Sequence, residues 1–168
     1  MRRVRMHRNF IRNLLFTLLI VIAGALTGLA QNRFTEIDLT VNGIRSGSPY
    51  GHVKKFGKPI KVKILGFDEC AGKYRRVIYF DGLEVGLLGS KDGKHSSVMS
   101  LTVTSTKWTI VPGVKIGATR AALIVKFGQP VNASKTRIDY VTKENLGLVT
   151  FLLRNGRLFR VEMMETLC

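Results

Sequence analysis

The sequence predicts an α+β fold in which two tandem repeats each pack a short helix on an antiparallel β-meander. Three observations carry that expectation. The stretch from Gly113 to Pro130, GVKIGATRAALIVKFGQP, reads as a turn, a helix N-terminus and a short helix closed by glycine and proline. A weaker copy, SPYGHVKKFGKP, stands 71 residues earlier, and repetition of one supersecondary unit bears on the whole fold. Behind each copy lie short apolar strands joined by glycine turns: Asp81-Gly82 and Asp92-Gly93 in the first, Asn155-Gly156 in the second.

The chain opens with Arg2, Arg3, Arg5, Arg8 and Arg12 and no acid, then runs uncharged from Leu14 to Ala30, ending in small residues. That order is the order of a secretory signal, so residues 1–30 are expected to be a signal peptide removed after Ala30. A retained inner-membrane anchor is the alternative, because the 17-residue run reaches the lower edge of a membrane span. No cysteine follows the run, which argues against a lipidated N-terminus. The remaining 138 residues suffice for one compact domain or two small repeats sharing a core. Net charge is +16 for the full chain and +11 without the signal arginines. Such an excess suits a solvated face, an acidic protein, an anionic lipid or a cell-wall polymer. Nucleic acid is not expected, since no interleaved aromatic and basic readout motif accompanies the charge.

The first repeat is expected over 31–104. Phe34 to Val41 alternates apolar and polar and reads as an entry strand, broken by Asn42-Gly43. A helix follows from about Pro49 to Phe56, weakened by roughly 1 kcal/mol by Gly51 in its interior. Ile60 to Gly66 alternates again as a strand, and Asp68 to Lys73 makes a loop. Arg76 to Phe80, Leu83 to Leu88 and Ser97 to Thr104 complete the meander.

The second repeat is expected over 105–168. Trp108 to Val111 enters it, and Pro112-Gly113 punctuates the entry. Thr119 caps the helix, and Leu123, Ile124 and Phe127 recur at helical spacing along it. Gly128 supplies the stop and Pro130 prevents continuation. Ile138 to Val141, Leu146 to Leu153 and Leu158 to Met164 form the second meander. Aligning the copies sets Ser48 against Thr119, with Pro49 at the first helical position, Ser46 against Gly117, and Val53 against Ile124. It also sets Phe56, Gly57 and Pro59 against Phe127, Gly128 and Pro130, Tyr79 against Tyr140, Gly93 against Gly156 and Val98 against Val161. Phe56, Gly57, Pro59, Gly117, Thr119, Phe127, Gly128 and Pro130 are the candidate structural residues.

The segments Ile116-Gly117-Ala118-Thr119 and Phe127-Gly128-Gln129-Pro130, followed by Tyr140 and the last two strands, carry a family likeness. This order resembles the repeat of the small outer-membrane assembly lipoproteins of the BamE/SmpA/OmlA type and of the tandem-repeat beta-lactamase inhibitor proteins. The resemblance implies helix-on-meander repeats over nearly all of residues 35–167, and a role in protein binding. The acylated cysteine of the lipoproteins is absent here.

Candidate chemistry is sparse. Asp68, Glu69 and Cys70 share a loop, where the acids would raise the thiol pKa and disfavour a nucleophilic thiolate. Asp92, His95 and Ser96 lie too close in sequence for ordinary triad geometry, and Asp139 with Glu144 is a bare pair of acids. His7, His52 and His95 form no ligand spacing with the cysteines, so neither metal nor cofactor is expected. GVKIG lacks the dinucleotide and P-loop fingerprints. An oxidising compartment permits a disulfide between Cys70 and Cys168, with free thiols and intermolecular pairing as alternatives. Aromatic and arginine side chains suit recognition surfaces, which makes Tyr50, Arg75, Arg76, Trp108, Arg137, Arg154 and Arg157 the candidate partner-binding residues. The expected function is that of an exported, non-enzymatic protein-binding or envelope scaffold protein, with inhibition of another protein as one form. The expected place is the periplasm or the exterior. A basic membrane- or cell-wall-associated structural factor and an unrecognised hydrolase are the alternatives.

Overall fold

The computed structural model describes residues 35–143 and 147–165. The expected signal at 1–30, Glu144 and Cys168 lie outside them. Eleven strands occur among the described residues: β1 Glu36–Ile37, β2 Thr40–Val41, β3 Lys61–Asp68, β4 Lys73–Phe80, β5 Leu83–Gly89, β6 Ser96–Val103, β7 Ile110–Val111, β8 Asn132–Ala133, β9 Arg137–Thr142, β10 Gly147–Arg154 and β11 Arg157–Glu165. The helices are α1, Tyr50–Val53, which runs on as a 3₁₀ turn over Lys54–Phe56, and α2, Arg120–Phe127.

The α+β expectation is corrected by the sheet. Nine strands form one mixed sheet in the order β1-β9-β10-β11-β6-β5-β4-β3, with β8 also on β9. The protein is therefore mostly β, with two short helices, and not a pair of helix-on-meander units. The physical reason lies at the edges of the two meanders. An isolated meander leaves a row of backbone N–H and C=O groups unpaired at each side. Here β6 and β11 satisfy theirs on each other, antiparallel from Val103 opposite Val161 to Ser100 opposite Met164. The entry segment also crosses between halves: β1 pairs parallel with β9, and β2 pairs antiparallel with β7. Within the expected entry strand, Glu36–Ile37 and Thr40–Val41 are thus two short strands with different partners rather than one.

Period-two alternation gives the sheet two distinct faces. One cross-strand row reads Val62, Ile78, Val85, Leu101, Met163, Val149 and Tyr140. All but Val62 are buried in the core. The next row, on the opposite face, reads Lys61, Tyr79, Glu84, Thr102, Glu162, Thr150 and Asp139. Polar side chains dominate it, as one wet face of an antiparallel sheet requires.

Two aromatic clusters tie the helices to the core face. Phe56 meets Phe80 at 5.6 Å and Trp108 at 5.0 Å between ring centroids. Phe127 meets Tyr140 at 5.6 Å and Phe151 at 5.4 Å. Phe80, not Tyr79, therefore does at Phe56 what Tyr140 does at Phe127, since Tyr79 stands on the polar face.

Backbone bonds correct the rest of the alignment between the copies. Gly47 N–H donates to Val98 O and Gly117 N–H to Leu158 O, each at 2.7 Å. The return bonds run from Val98 N–H to Ser48 O and from Leu158 N–H to Ala118 O, each at 2.8 Å. Gly47, not Ser46, is therefore the counterpart of Gly117, and both have positive φ, 81° and 95°. Val98 likewise matches Leu158, not Val161. Pro49 occupies the cap position that Thr119 holds in the second copy, and only Thr119 accepts a side-chain bond, from Ala122 N–H.

The copies differ by one residue between cap and stop, and helix type accounts for it. Four α residues and three 3₁₀ residues rise about 12 Å, as do eight α residues. The tighter first helix reaches its closing glycine, Gly57, with one residue fewer than α2 needs to reach Gly128. Buried Val53 accordingly matches buried Leu123 rather than Ile124.

Candidate binding surface

Glycine-bearing turns and cross-strand pairing set where the expected contact residues stand. Arg154 and Arg157 face each other across the Asn155-Gly156 turn, and Arg137 opposes Leu152 on the neighbouring strand. These three arginines gather at one end of the sheet. Each is engaged locally. Arg137 Nε donates to both carboxylate oxygens of buried Asp139 at 2.8 Å, Arg154 lies 4.6 Å from the Phe159 ring centroid, and Arg157 donates to Gly117 O at 3.1 Å. Asp139 also accepts from Thr150 Oγ1 and from Asn132, which completes its partners in the sheet.

Arg75 and Arg76 stand elsewhere, on β4, with β5, β6, β11 and β10 between them and β9. At about 4.8 Å per strand that is roughly 24 Å from Arg137. They also take opposite faces: Arg75 pairs with Asp68 at 3.5 Å, whereas Arg76 donates to Lys91 O at 2.8 Å. Tyr50 is half-buried on α1, with Lys54 Nζ 5.5 Å from its ring centroid. Trp108 is a correction. It is only 8% exposed, packs on Phe56 and Phe80, and donates its indole N–H to Asp81 O at 2.7 Å, so it serves the core rather than a contact surface. The seven expected residues do not form one patch.

The candidate chemical groups are held as turn supports. Asp68 accepts from Ala71 N–H at 3.0 Å and so closes the β3–β4 turn that carries Cys70. Asp92 accepts from Ser90 Oγ at 2.6 Å and from Lys94 N–H at 3.0 Å, while Ser90 Oγ accepts from His95 N–H. The Ser90 hydroxyl, and then the Lys94 amide, hold the Asp92 carboxyl below its ordinary pKa. Ser96 is buried and His95 exposed on consecutive residues of one backbone. A cleft of about 320 Å³ lies between Arg45 to Gly47 and the β9–β11 ends. Inside it Ser46 Oγ donates to Glu165 at 3.1 Å, and Arg45 pairs with Asp38 at 3.4 Å. Among the described residues, no three His, Cys, Asp or Glu side chains gather as a metal site.

The feature that sequence reasoning missed is the edge position of β3, whose strand it did expect. Among the described residues it is the outermost strand at its end of the sheet and pairs with β4 alone. Val62 continues the core row of Ile78, and Ile64 on the same face stands opposite Arg76, yet Ile60 is 72% exposed, Val62 49% and Ile64 65%. Leu65 and Phe67 are exposed as well. Lys61 and Lys63 point to the other face, opposite Tyr79 and Val77, and neither forms an ion pair among the described residues. A register shift between Ile64 and Gly66, with Gly66 at φ 108°, bulges the strand and ends its regular stretch. The alternation I-K-V-K-I announced a strand; that its apolar face is uncovered is a property of sheet order, to which local periodicity carries no signal. No family model, no curated protein and no solved structure matches the chain.

Proposed function

We propose that this chain is an exported, non-enzymatic protein-binding or envelope scaffold protein, with β3 as part of its contact surface. The observation that carries the reading is the row of apolar side chains left in solvent at the sheet edge, Ile60, Val62 and Ile64. Contiguous exposed apolar groups rimmed by charge favour a protein contact. The basic, apolar, small-residue order of residues 1–30 supports export, to the periplasm or the exterior. The likeness to the assembly-lipoprotein and inhibitor repeats rests on the residues around Gly117 and Gly128, and inhibition of another protein is the form of binding it implies.

A photo-crosslinking residue installed at Val62, and separately at Glu162 on the polar face, tests the reading in the native envelope. A discrete protein adduct that survives high salt during capture is the expected result. Absence of any protein adduct from both positions would overturn it.

A second reading, attachment to an anionic membrane or cell-wall polymer, draws on the arginines clustered at the β10–β11 turn and on the net charge of +11 after signal removal. It predicts pelleting with anionic vesicles or wall fragments that disappears as salt is raised, because exposed charges are screened.

A further inference from the structure

We infer that the outer edge of β3 accepts an extended, acidic and apolar peptide segment of a partner protein as an added strand. The inference rests on the protein-binding reading and specifies its ligand. Four observations combine. First, β3 ends the sheet among the described residues, so along Lys61–Ile64 half of its backbone N–H and C=O groups lack a described strand to pair with. Second, Val62 stands in line with buried Ile78 and Val85, and Ile60 and Ile64 flank it on the same face, Ile64 opposite Arg76, so an added strand bearing apolar residues on that side extends the core outward from Val62. Third, Lys61 and Lys63 project from the same strand to the other face without a carboxylate partner among the described residues, so the added strand is best matched by acids there. Fourth, the bulge at Gly66 limits the open stretch and sets where pairing stops.

The same lysines select against other occupants. Antiparallel pairing of β3 with a second copy must keep its faces, so it centres on Lys61, Val62 or Lys63. Centring on either lysine sets it opposite its own copy, and centring on Val62 sets Lys61 opposite Lys63 at both ends. Like charges directly opposite destabilise a strand pair. The chain's own first 30 residues carry no acid to match these lysines, and their five arginines are of like charge. A lipid surface attracts the lysines, but its hydrocarbon, where Ile60, Val62 and Ile64 would be buried, supplies no partners for the edge amides.

The test uses the full chain and short blocked peptides of alternating valine and glutamate or of alternating valine and lysine. Binding is followed by fluorescence anisotropy, and the contacted residues by amide hydrogen exchange. The glutamate peptide is expected to bind saturably and to protect amides of Lys61–Ile64. Lys61→Glu with Lys63→Glu is expected to weaken that peptide about tenfold or more and to create affinity for the lysine peptide. Lys61→Gln with Lys63→Gln, which adds no acid to the edge, is expected to fall between the two and guards against a misfolded reversal variant.

Equal binding of both peptides, binding unchanged by either variant, or protection elsewhere would overturn the inference. So would protection, in the peptide-free protein, of the β3 amides that face away from β4, as a dimer for a second copy or as a monomer for its own N-terminal residues. Vesicle binding that needs Lys61 and Lys63, with no peptide binding, would assign the edge to lipid instead. An envelope adduct formed only from Glu162 leaves the protein-binding reading standing while this inference falls.

Discussion

At the scale of single residues, two side-chain identities govern the link between helix and sheet. Gly47 and Gly117 adopt positive φ so that each N–H reaches a strand carbonyl, and open space surrounds the position of a Cβ at both. Substitution there is therefore a test of backbone conformation alone. Gly47→Ala and Gly117→Ala are each expected to cost about 1–2 kcal/mol in urea denaturation, with similar values for the two. Tyr140 does the corresponding work for α2, donating its hydroxyl to Gly128 O at 3.0 Å from within the core. Burial raises the Tyr140 pKa, against a smaller opposing effect of the Arg120 charge. The neutral phenol is the form that fits the fold. Its stabilisation is complete below the unfolded value near 10 and is lost as pH rises from there through the folded value. Tyr140→Phe is expected to cost about 1 kcal/mol at neutral pH and to remove this part of the alkaline loss, as read by denaturation at a series of pH values.

At the scale of elements, the two helices solve one spanning problem with different chemistry. α2 has a capping threonine and eight regular residues, whereas α1 has Pro49 at its cap, Gly51 inside and a 3₁₀ finish. Thr119→Ala is expected to lower stability by about 1 kcal/mol. Gly51 has ordinary negative φ and no neighbour near a Cβ position, so Gly51→Ala is expected to raise stability by about 0.5–1 kcal/mol. Opposite signs from two helix substitutions to alanine, measured by thermal or urea unfolding, would follow from the local geometry. Agreement in sign would contradict it. The strands carry a parallel lesson. I-K-V-K-I alternates as any half-buried strand does, and only its position beyond β4 leaves the apolar half uncovered.

For the whole molecule, the junction of β6 with β11 and the crossing pairs β1–β9 and β2–β7 bind both halves into one set of hydrogen bonds. Unfolding is then expected to be a single cooperative transition. Phe56→Ala in one aromatic cluster and Phe127→Ala in the other should each lower the same midpoint, by the equivalent of about 3 kcal/mol for buried Phe127 and less for partly buried Phe56. Trp108 fluorescence and far-ultraviolet circular dichroism should report coincident curves in both variants, and separated curves would mean two independently folding units. Joining of Cys70 to Cys168, proposed from the oxidising compartment, would further restrict the unfolded chain. Mass after alkylation without reductant should then exceed the untreated mass by nothing, and two added alkyl groups would exclude the bond.

What the sequence determined by itself is local: the glycine turns, the Thr119 cap, the Gly57 and Gly128 stops, and the span of most strands to within a few residues. These depend on φ preferences and on period-two or helical alternation, which act over neighbouring residues. The matching of the two copies was legible in outline, through Phe56-Gly57 and Phe127-Gly128. Its register was not, because a 3₁₀ turn absorbs one residue and a glycine one position away from the assumed one makes the strand bond. Tertiary structure alone decided that the two meanders fuse into one sheet, that Trp108 is buried, that the arginines divide between distant strands, and that β3 is the open edge. Alternation states which side chains share a face; whether that face is covered depends on pairings between residues far apart in the chain.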